Sequence, residues 1–417
     1  MDLVLKDDGF MLRIDGKLLI SHSYDDPCAY LGQGREKMRM RFGNFAIDDE
    51  IITRIPLKNF EIEKQDNHYT ILLFHINKNI ALEMEVFQAD GRYRLTTKGS
   101  AGFNRCWLRF HSCEDEYVYG GGEQYSHFNL KGRKFPIFVT EQGVGRNKKT
   151  MTTFLADCDN GGGGDYWTTY FPQPTFVSSR KYYCHLDNCE YQELNFANDN
   201  FHELHIWGTE FDITLETAST FTELLSKLTA LLGRQIPLPE WAYEGAWLGI
   251  QGGTATCRSK FEKMRKAGAK VNVIWAQDWV GHRFTSFGKR LMWNWVWNRE
   301  LYPNLDQQIK AWKQGGIRFT AYVNPYLAVE GSQFQEAQQR DYLVKNRDGG
   351  VYLVDFGEFD GGIVDLTNPA AADWFSEMIV ANLIDLGIAG WMADFGEYLP
   401  TDAVLFNGED AVQMHNK

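Results

Sequence analysis

Two domains of different class, an antiparallel β domain and then a parallel α/β domain, are what this sequence predicts, and three observations carry the prediction. Short period-two apolar runs broken by Gly, Asn and Asp fill residues 1–236. From there to residue 417 the pattern changes to strand, loop and helix in alternation. A length of 417 residues also exceeds what one ordinary core fills, so two or three domains are expected.

In the first part the runs MLRIDGKLLISHS, YTILLFHI, IALEMEVFQADGRYRLTTKG and FDITLETA alternate apolar with polar residues and are separated by turn formers. That pattern predicts an antiparallel β-sandwich. A single amphipathic segment follows at 220–232, where Phe221, Leu224, Leu225, Leu228, Leu231 and Leu232 share one helical face. It reads as a linking helix ahead of Pro237 and Pro239, so the β-sandwich domain with its helix is assigned to 1–236.

Past Pro239 the elements are GAWLGI (245–250), a helix near 254–267, VNVIWAQDW (271–279), a helix near 305–314, RFTAYVNPYL (318–327), helices near 333–345 and 369–386, and GIAGWMADFGEY (387–398). Strands alternating with helices of this length make βα units and a parallel sheet. Four such strands amount to the first half of a (β/α)8 TIM barrel, so 237–417 is expected to be an incomplete barrel. The last residues, Met414 to Lys417, fall inside what reads as the start of another helix, and the expectation is a truncated barrel: either the sequence is a fragment, or something else completes it.

Composition narrows the function. Aromatic residues make up 14% of the chain, with 13 Trp and 19 Tyr, enough to fill large cores and to line a sugar site as well. With 43 Lys+Arg against 55 Asp+Glu the formal charge is -12, which argues against nucleic acid held by a general positive field. Any anion is therefore captured locally. No stretch approaches the roughly 18 apolar residues of a membrane span, and MDLVLKDD at the start is not a secretory leader, so a cytoplasmic protein without a membrane partner is expected. The seven Cys lack CxxC spacing, which predicts reduced thiols and no metal site.

In a parallel barrel the working residues stand at the carboxyl ends of the strands. That rule nominates Gln251, Gln277 and Asp278, Asn324, and Asp394 with Glu397. Asp394 is the strongest, because Gly390-Trp391-Met392-Ala393 delivers it from an apolar strand and Phe395-Gly396-Glu397 turns the chain at once. A carboxylate there is placed to attack an anomeric carbon, and a second carboxylic acid roughly 5 Å away is what a retaining glycosidase needs besides. Glu397, three residues on, suits a supporting role; equally, pattern alone allows Asp394 to cap a following helix.

Two further segments invite functional readings. In SFGKRLMWNWVW (286–297), Lys289 and Arg290 are interleaved with Trp293, Trp295 and Trp297. Guanidinium and indole N–H groups are donors without acceptor function and suit a fixed anion, although a helix packing its Trp residues with Arg290 on an Asp is the plainer alternative. The run Tyr119-Gly120-Gly121-Gly122-Glu123 lacks GxxxxGK[ST] and any βαβ context, so it reads as a hairpin tip carrying Glu123 and not as a nucleotide cradle. Gly161 to Gly164 reads as a flexible loop.

The segments YGGGEQYSHFNLKGRKFP (119–136), EQGVGRNK (141–148), YFPQPTFVSSRKYYCH (170–185), LTALLGRQIPLPEW (228–241), LGIQGG (248–253), IWAQDWVG (274–281), TSFGKRLMWNW (285–295) and GWMADFGEYLPTD (390–402) together resemble glycoside hydrolase family 31, and closely its bacterial sulfoquinovosidase group. The resemblance covers essentially the whole chain. It implies a cofactor-free α-glycosidase that releases sulfoquinovose from its glycerol glycosides with retention. Asp394 then matches the nucleophile, Arg290 and Trp293 the residues that grip the sulfonate, Gln277 a sugar contact and Gln251 a further one. Gly396 departs from the Asp-x-Asn-Glu form of the family's glucosidases, while Glu397 is kept.

Family members continue with four more strands that bring the acid/base Asp, so this chain alone is expected to be inactive and poorly folded beyond the β domain. The competing readings are an α-glucosidase of the same family and a non-catalytic sugar-binding fragment, with a nucleotide-binding protein far behind. A homo-oligomer is compatible with all of them.

Overall fold

The computed structural model describes residues 1–286 and 288–417; Phe287, inside the basic and Trp-rich segment, lies outside the described residues. The chain divides into two compact units, Met1–Arg234 with Val412–Lys417, and Gln235–Ala411.

The first unit is built on two large antiparallel sheets. One runs Lys134–Ile137, Gln192–Asn195, Phe201–Ile206, Arg105–His111, Ala29–Arg41 and Asn44–Pro56 in spatial order. The other begins with Val118–Gly122 and Pro172–Ser178 and ends with His68–Phe74 and Asn59–Gln65. Alternation decides which residues go inside: on His68–Phe74 the side chains Tyr69, Ile71 and Leu73 are buried and their neighbours are not. Leu31, Leu95, Leu108, Phe176, Leu204 and Ile213, drawn from both sheets, join them in one core. Each such Leu, Ile or Phe contributes about 1.5–3 kcal/mol by leaving water.

The linking helix forms at Phe221–Leu232, with Thr220 accepting from the Glu223 N–H and Glu223 reaching back to the Ser219 N–H. Of its apolar stripe Leu224 and Leu228 are buried, against Val177 and Tyr183, while Phe221, Leu225 and Leu232 stay exposed. It is not the β unit's single helix, as the sequence suggested: Met151–Asn160 is a second, capped by Thr150 and by Gly161 in the left-handed region. Its Met151, Phe154 and Leu155 are exposed, so no amphipathic stripe announced it. The glycine run after it is pinned, Gly162 and Gly163 accepting from the Val144 and Arg146 N–H groups. A Cβ on Gly143 would lie 2.3 Å from the Gly164 Cα, which explains why both positions lack side chains.

The second unit holds four parallel strands, Ala246–Gly249, Val271–Trp275, Arg318–Val323 and Trp391–Ala393, in that spatial order. The central two are apolar and buried, whereas Trp247, Trp391 and Met392 on the outer two are exposed. Helices Gly253–Lys266, Leu305–Gln314 and Pro369–Ile379 fall where the pattern placed them. The helix expected at 333–345 stops at Gln339, two residues before Asp341 enters the left-handed region. The run expected as one strand over 318–327 breaks after Val323, and Tyr326–Ala328 turns away to pair with Asp360–Ile363. Among the described residues no helix is long and apolar enough to cross a membrane.

Candidate active site

The carboxyl ends of the third and fourth parallel strands form the centre of the site. Tyr322 pairs with Met392 and Val323 with Ala393, so Asp394, two residues beyond Met392, stands on the same face as Tyr322 and Asn324. The Asp394 N–H continues the ladder to the Val323 carbonyl at 3.0 Å. The Tyr322 hydroxyl donates to Asp394 Oδ2 at 2.7 Å and accepts from Asn324 Nδ2 at 3.3 Å. Burial raises the Tyr322 phenol pKa, the Asn324 bond opposes that, and the bonded Asp394 carboxylate with nearby Glu397 pushes it up again; the net shift is upward and the phenol keeps its proton.

No helix starts after Asp394, so the capping alternative falls away. The chain instead turns through Phe395 at φ 57° and Gly396 at φ 147°. The Tyr326 hydroxyl fastens this turn by accepting from the Gly396 and Tyr398 N–H groups at 3.1 and 3.0 Å. A non-glycine residue at positive φ immediately after a candidate nucleophile is strained, and the clamp on the next peptides holds it there. Glu397 is buried beneath the turn.

At the first two strand ends the predicted amides meet: Gln251 Nε2 donates to Gln277 Oε1 at 2.9 Å. Asp278, also nominated from sequence, has a structural task. It is buried and accepts from the Gly252 N–H at 2.8 Å and from the Tyr302 hydroxyl, tying the first loop to the second.

The segment that carries Arg290 is a two-stranded ribbon, His282–Thr285 against Gly288–Leu291, and not a helix. Arg290 is exposed on it, directly opposite Arg283, whose guanidinium pairs with Glu330 and lies 4.1 Å from the centre of the Phe359 ring. Trp293 is buried among Phe356, Phe359, Tyr326 and Phe395, at centroid distances of 4.6 to 5.7 Å. Through Phe395 it reaches the residue next to Asp394. Trp295 and Trp297 are structural, their indole N–H groups donating to the Tyr326 and Tyr302 carbonyls.

Sequence reasoning missed Tyr322 and Tyr326. The signal was available: Tyr322 precedes Asn324 by two residues on a strand, so the two share a face. Among the described residues no group of three or more His, Cys, Asp or Glu is gathered to hold a metal.

Four parallel strands alternating with helices agree with part of an α/β barrel, and residues 236–417 match the glycosyl hydrolases family 31 TIM-barrel domain. The chain as a whole is 50% identical over 411 residues to a sulfoquinovosidase of Escherichia coli K12, covering 98% of this chain and 60% of that protein. A sulfoquinovosidase of Agrobacterium fabrum C58 is 45% identical, again over 98% of this chain and 61% of its own length. In three dimensions the chain superposes with a TM-score of 0.94 on a family 31 sulfoquinovosidase from E. rectale in complex with the aza-sugar inhibitor IFGSQ, at 42% identity, over 100% of this chain and 62% of that one. By fold and sequence the chain is similar to family 31 glycosyl hydrolases, and among them it resembles the sulfoquinovosidases. It spans about 60% of the length of these relatives.

Proposed function

We propose that the Gln235–Ala411 unit carries the nucleophile side of a retaining α-glycosidase acting on α-sulfoquinovosides, with Asp394 as nucleophile. The observation that carries this reading is the Asp394 carboxylate at the end of the fourth parallel strand, oriented by a tyrosine hydroxyl at 2.7 Å. Identities of 42–50% to sulfoquinovosidases along nearly the whole chain support the substrate class.

In this reading Asp394 attacks the anomeric carbon, the aglycone oxygen leaves with its electron pair and receives a proton, and water then opens the glycosyl ester with overall retention. Arg290 and the Trp293 indole N–H hold the sulfonate. A sulfonate is anionic at every working pH, and Arg is the side chain that never loses its matching charge. Hydrogen bonds to charged groups contribute about 1.5–3 kcal/mol each, so two of them separate the sulfonated sugar from glucose by roughly a hundredfold or more. The Gln251–Gln277 pair offers its remaining amide groups to sugar hydroxyls, and Glu397 supports the turn. No cofactor takes part, and the substrate is a small glycoside met in the cytoplasm.

The general acid is not assigned to any carboxylate at these four strand ends. Turnover of a glycerol glycoside by the 417 residues alone is then lower by the roughly 10²–10⁴-fold that positioned proton transfer supplies. The test is release of 4-nitrophenol from its α-sulfoquinovoside beside the α-glucoside, with Asp394→Ala as control. Because 4-nitrophenolate leaves with little acid help, slow release from the sulfonated substrate alone, absent in the control, is expected even where a glycerol glycoside is not turned over. Equal release from both sugars would favour an α-glucosidase, and sugar affinity without release from either would favour a binding fragment.

A further inference from the structure

We infer that Tyr322 is a positioning residue for the nucleophile: its hydroxyl fixes the plane of the Asp394 carboxylate by binding Oδ2 and leaves Oδ1 as the attacking oxygen. The inference deepens the proposed function and rests on Asp394 being the nucleophile.

Four observations meet here. The 2.7 Å distance is that of a hydrogen bond to a charged acceptor. Tyr322 is 2% exposed, so the donor's side of the bond is shielded from water. Its backbone is held on both sides, by the ladder to Met392 and by the Trp279 indole N–H, which donates to the Tyr322 carbonyl at 2.9 Å. Finally, Asn324 donates to the phenol oxygen, which orders the chain of donors as amide, hydroxyl, carboxylate and so points the phenol proton at Asp394. Among the described residues no hydrogen bond reaches Oδ1.

A carboxylate on a turn rotates about its Cα–Cβ and Cβ–Cγ bonds unless one oxygen is tied. Tying Oδ2 removes that freedom before substrate arrives, which is where orientation contributes to rate.

The test uses an activated inhibitor, a 5-fluoro α-sulfoquinovosyl fluoride, with the full 417-residue chain. Asp394 Oδ1 forms a bond to the anomeric carbon as the C–F bond breaks and fluoride leaves with the electron pair. Fluoride departs without general acid help, so the label reports on the nucleophile alone. Intact-mass spectrometry follows the rate of labelling across inhibitor concentrations, which separates the first-order labelling step from inhibitor binding, and peptide mapping locates the ester.

Tyr322→Phe is expected to lower the first-order labelling rate roughly tenfold or more and to leave the half-saturating inhibitor concentration close to that of the wild type. A role confined to packing would weaken inhibitor binding along with the rate. Should Tyr322→Phe fold poorly by circular dichroism, 3,5-difluorotyrosine at 322 keeps the shape and strengthens the donor, and the first-order rate is then expected to change at an unchanged half-saturating concentration. Wild-type chain labelled on Asp394, with either variant leaving the first-order rate unchanged, would overturn the inference alone. Wild-type chain that stays unlabelled, or is labelled elsewhere, would overturn Asp394 as nucleophile and the role of Tyr322 with it.

Discussion

The two units bury their sheets in different ways. In the antiparallel unit, side chains of two sheets meet in one core, with Leu95, Leu108, Phe176 and Ile213 wholly buried. In the parallel unit only the two central strands are sealed, while Met392 on the fourth is 43% exposed although it neighbours the candidate nucleophile. Parallel strands are normally covered on both faces, and within these 417 residues the strand presenting Asp394 is ordered by the ladder to Arg318–Val323, the Tyr322 hydroxyl and the Tyr326 clamp on the turn.

The sharpest way to probe the closed half of this comparison is its buried charge. Glu116 is inaccessible and faces His202 at 3.1 Å, Arg180 at 3.6 Å and the Tyr182 hydroxyl at 3.2 Å, with Ser178 donating as well. Burial alone would raise its pKa, but close contact with His202, the hydrogen bond from Ser178 and the Arg180 charge outweigh burial and hold it at about 2. Replacing Glu116 by Ala strands those partners and is expected to cost about 3–5 kcal/mol of the unit's stability in urea unfolding. A loss under 1 kcal/mol would mean that water enters the cluster.

Matched truncations compare the two sheets directly. Leu95→Ala, in the closed core, is expected to cost about 2–5 kcal/mol, and Met392→Ala, on the open strand, less than about 1 kcal/mol. Equal costs would show that the fourth strand is covered in solution, and the contrast drawn here would fail.

The smallest effect concerns the last residues, which belong to the β unit. His415 stacks on Phe138 at 4.1 Å, lies 2.7 Å from the Val139 carbonyl, and has a pKa lowered to about 4 chiefly by burial. A histidine depressed in the folded state stabilises fully above its unfolded value near 6.5, and its contribution is lost as pH falls from there toward 4. Acidification through that window is expected to loosen residues 412–417, seen as faster exchange of the Val139 amide, which donates to Asn416 Oδ1, and His415→Phe is expected to abolish the pH dependence. Persistent protection at pH 4.5 in the wild type would contradict the burial of a neutral ring.

Much of the fold was legible because it follows from local periodicity. The period-two runs became antiparallel strands, and 254–267, 305–314 and 369–386 became helices at nearly those bounds. Asp394, Gln251 and Gln277 were legible as polar residues placed directly after apolar strands, and the latter two meet at 2.9 Å. Met151–Asn160 was not legible, because its stability comes from its caps and it has no buried apolar face.

What the sequence determined by itself is the order and type of elements and the identity of the carboxylate at the fourth strand end, since both rest on nearest-neighbour pattern and chain direction. Only the tertiary structure decided which of the strand-end residues are structural, such as Asp278 beneath Tyr302, and which partner orients Asp394. The reason is register: Tyr322 stands 72 residues from Asp394, and the parallel ladder that pairs Tyr322 with Met392 brings the phenol and the carboxylate together.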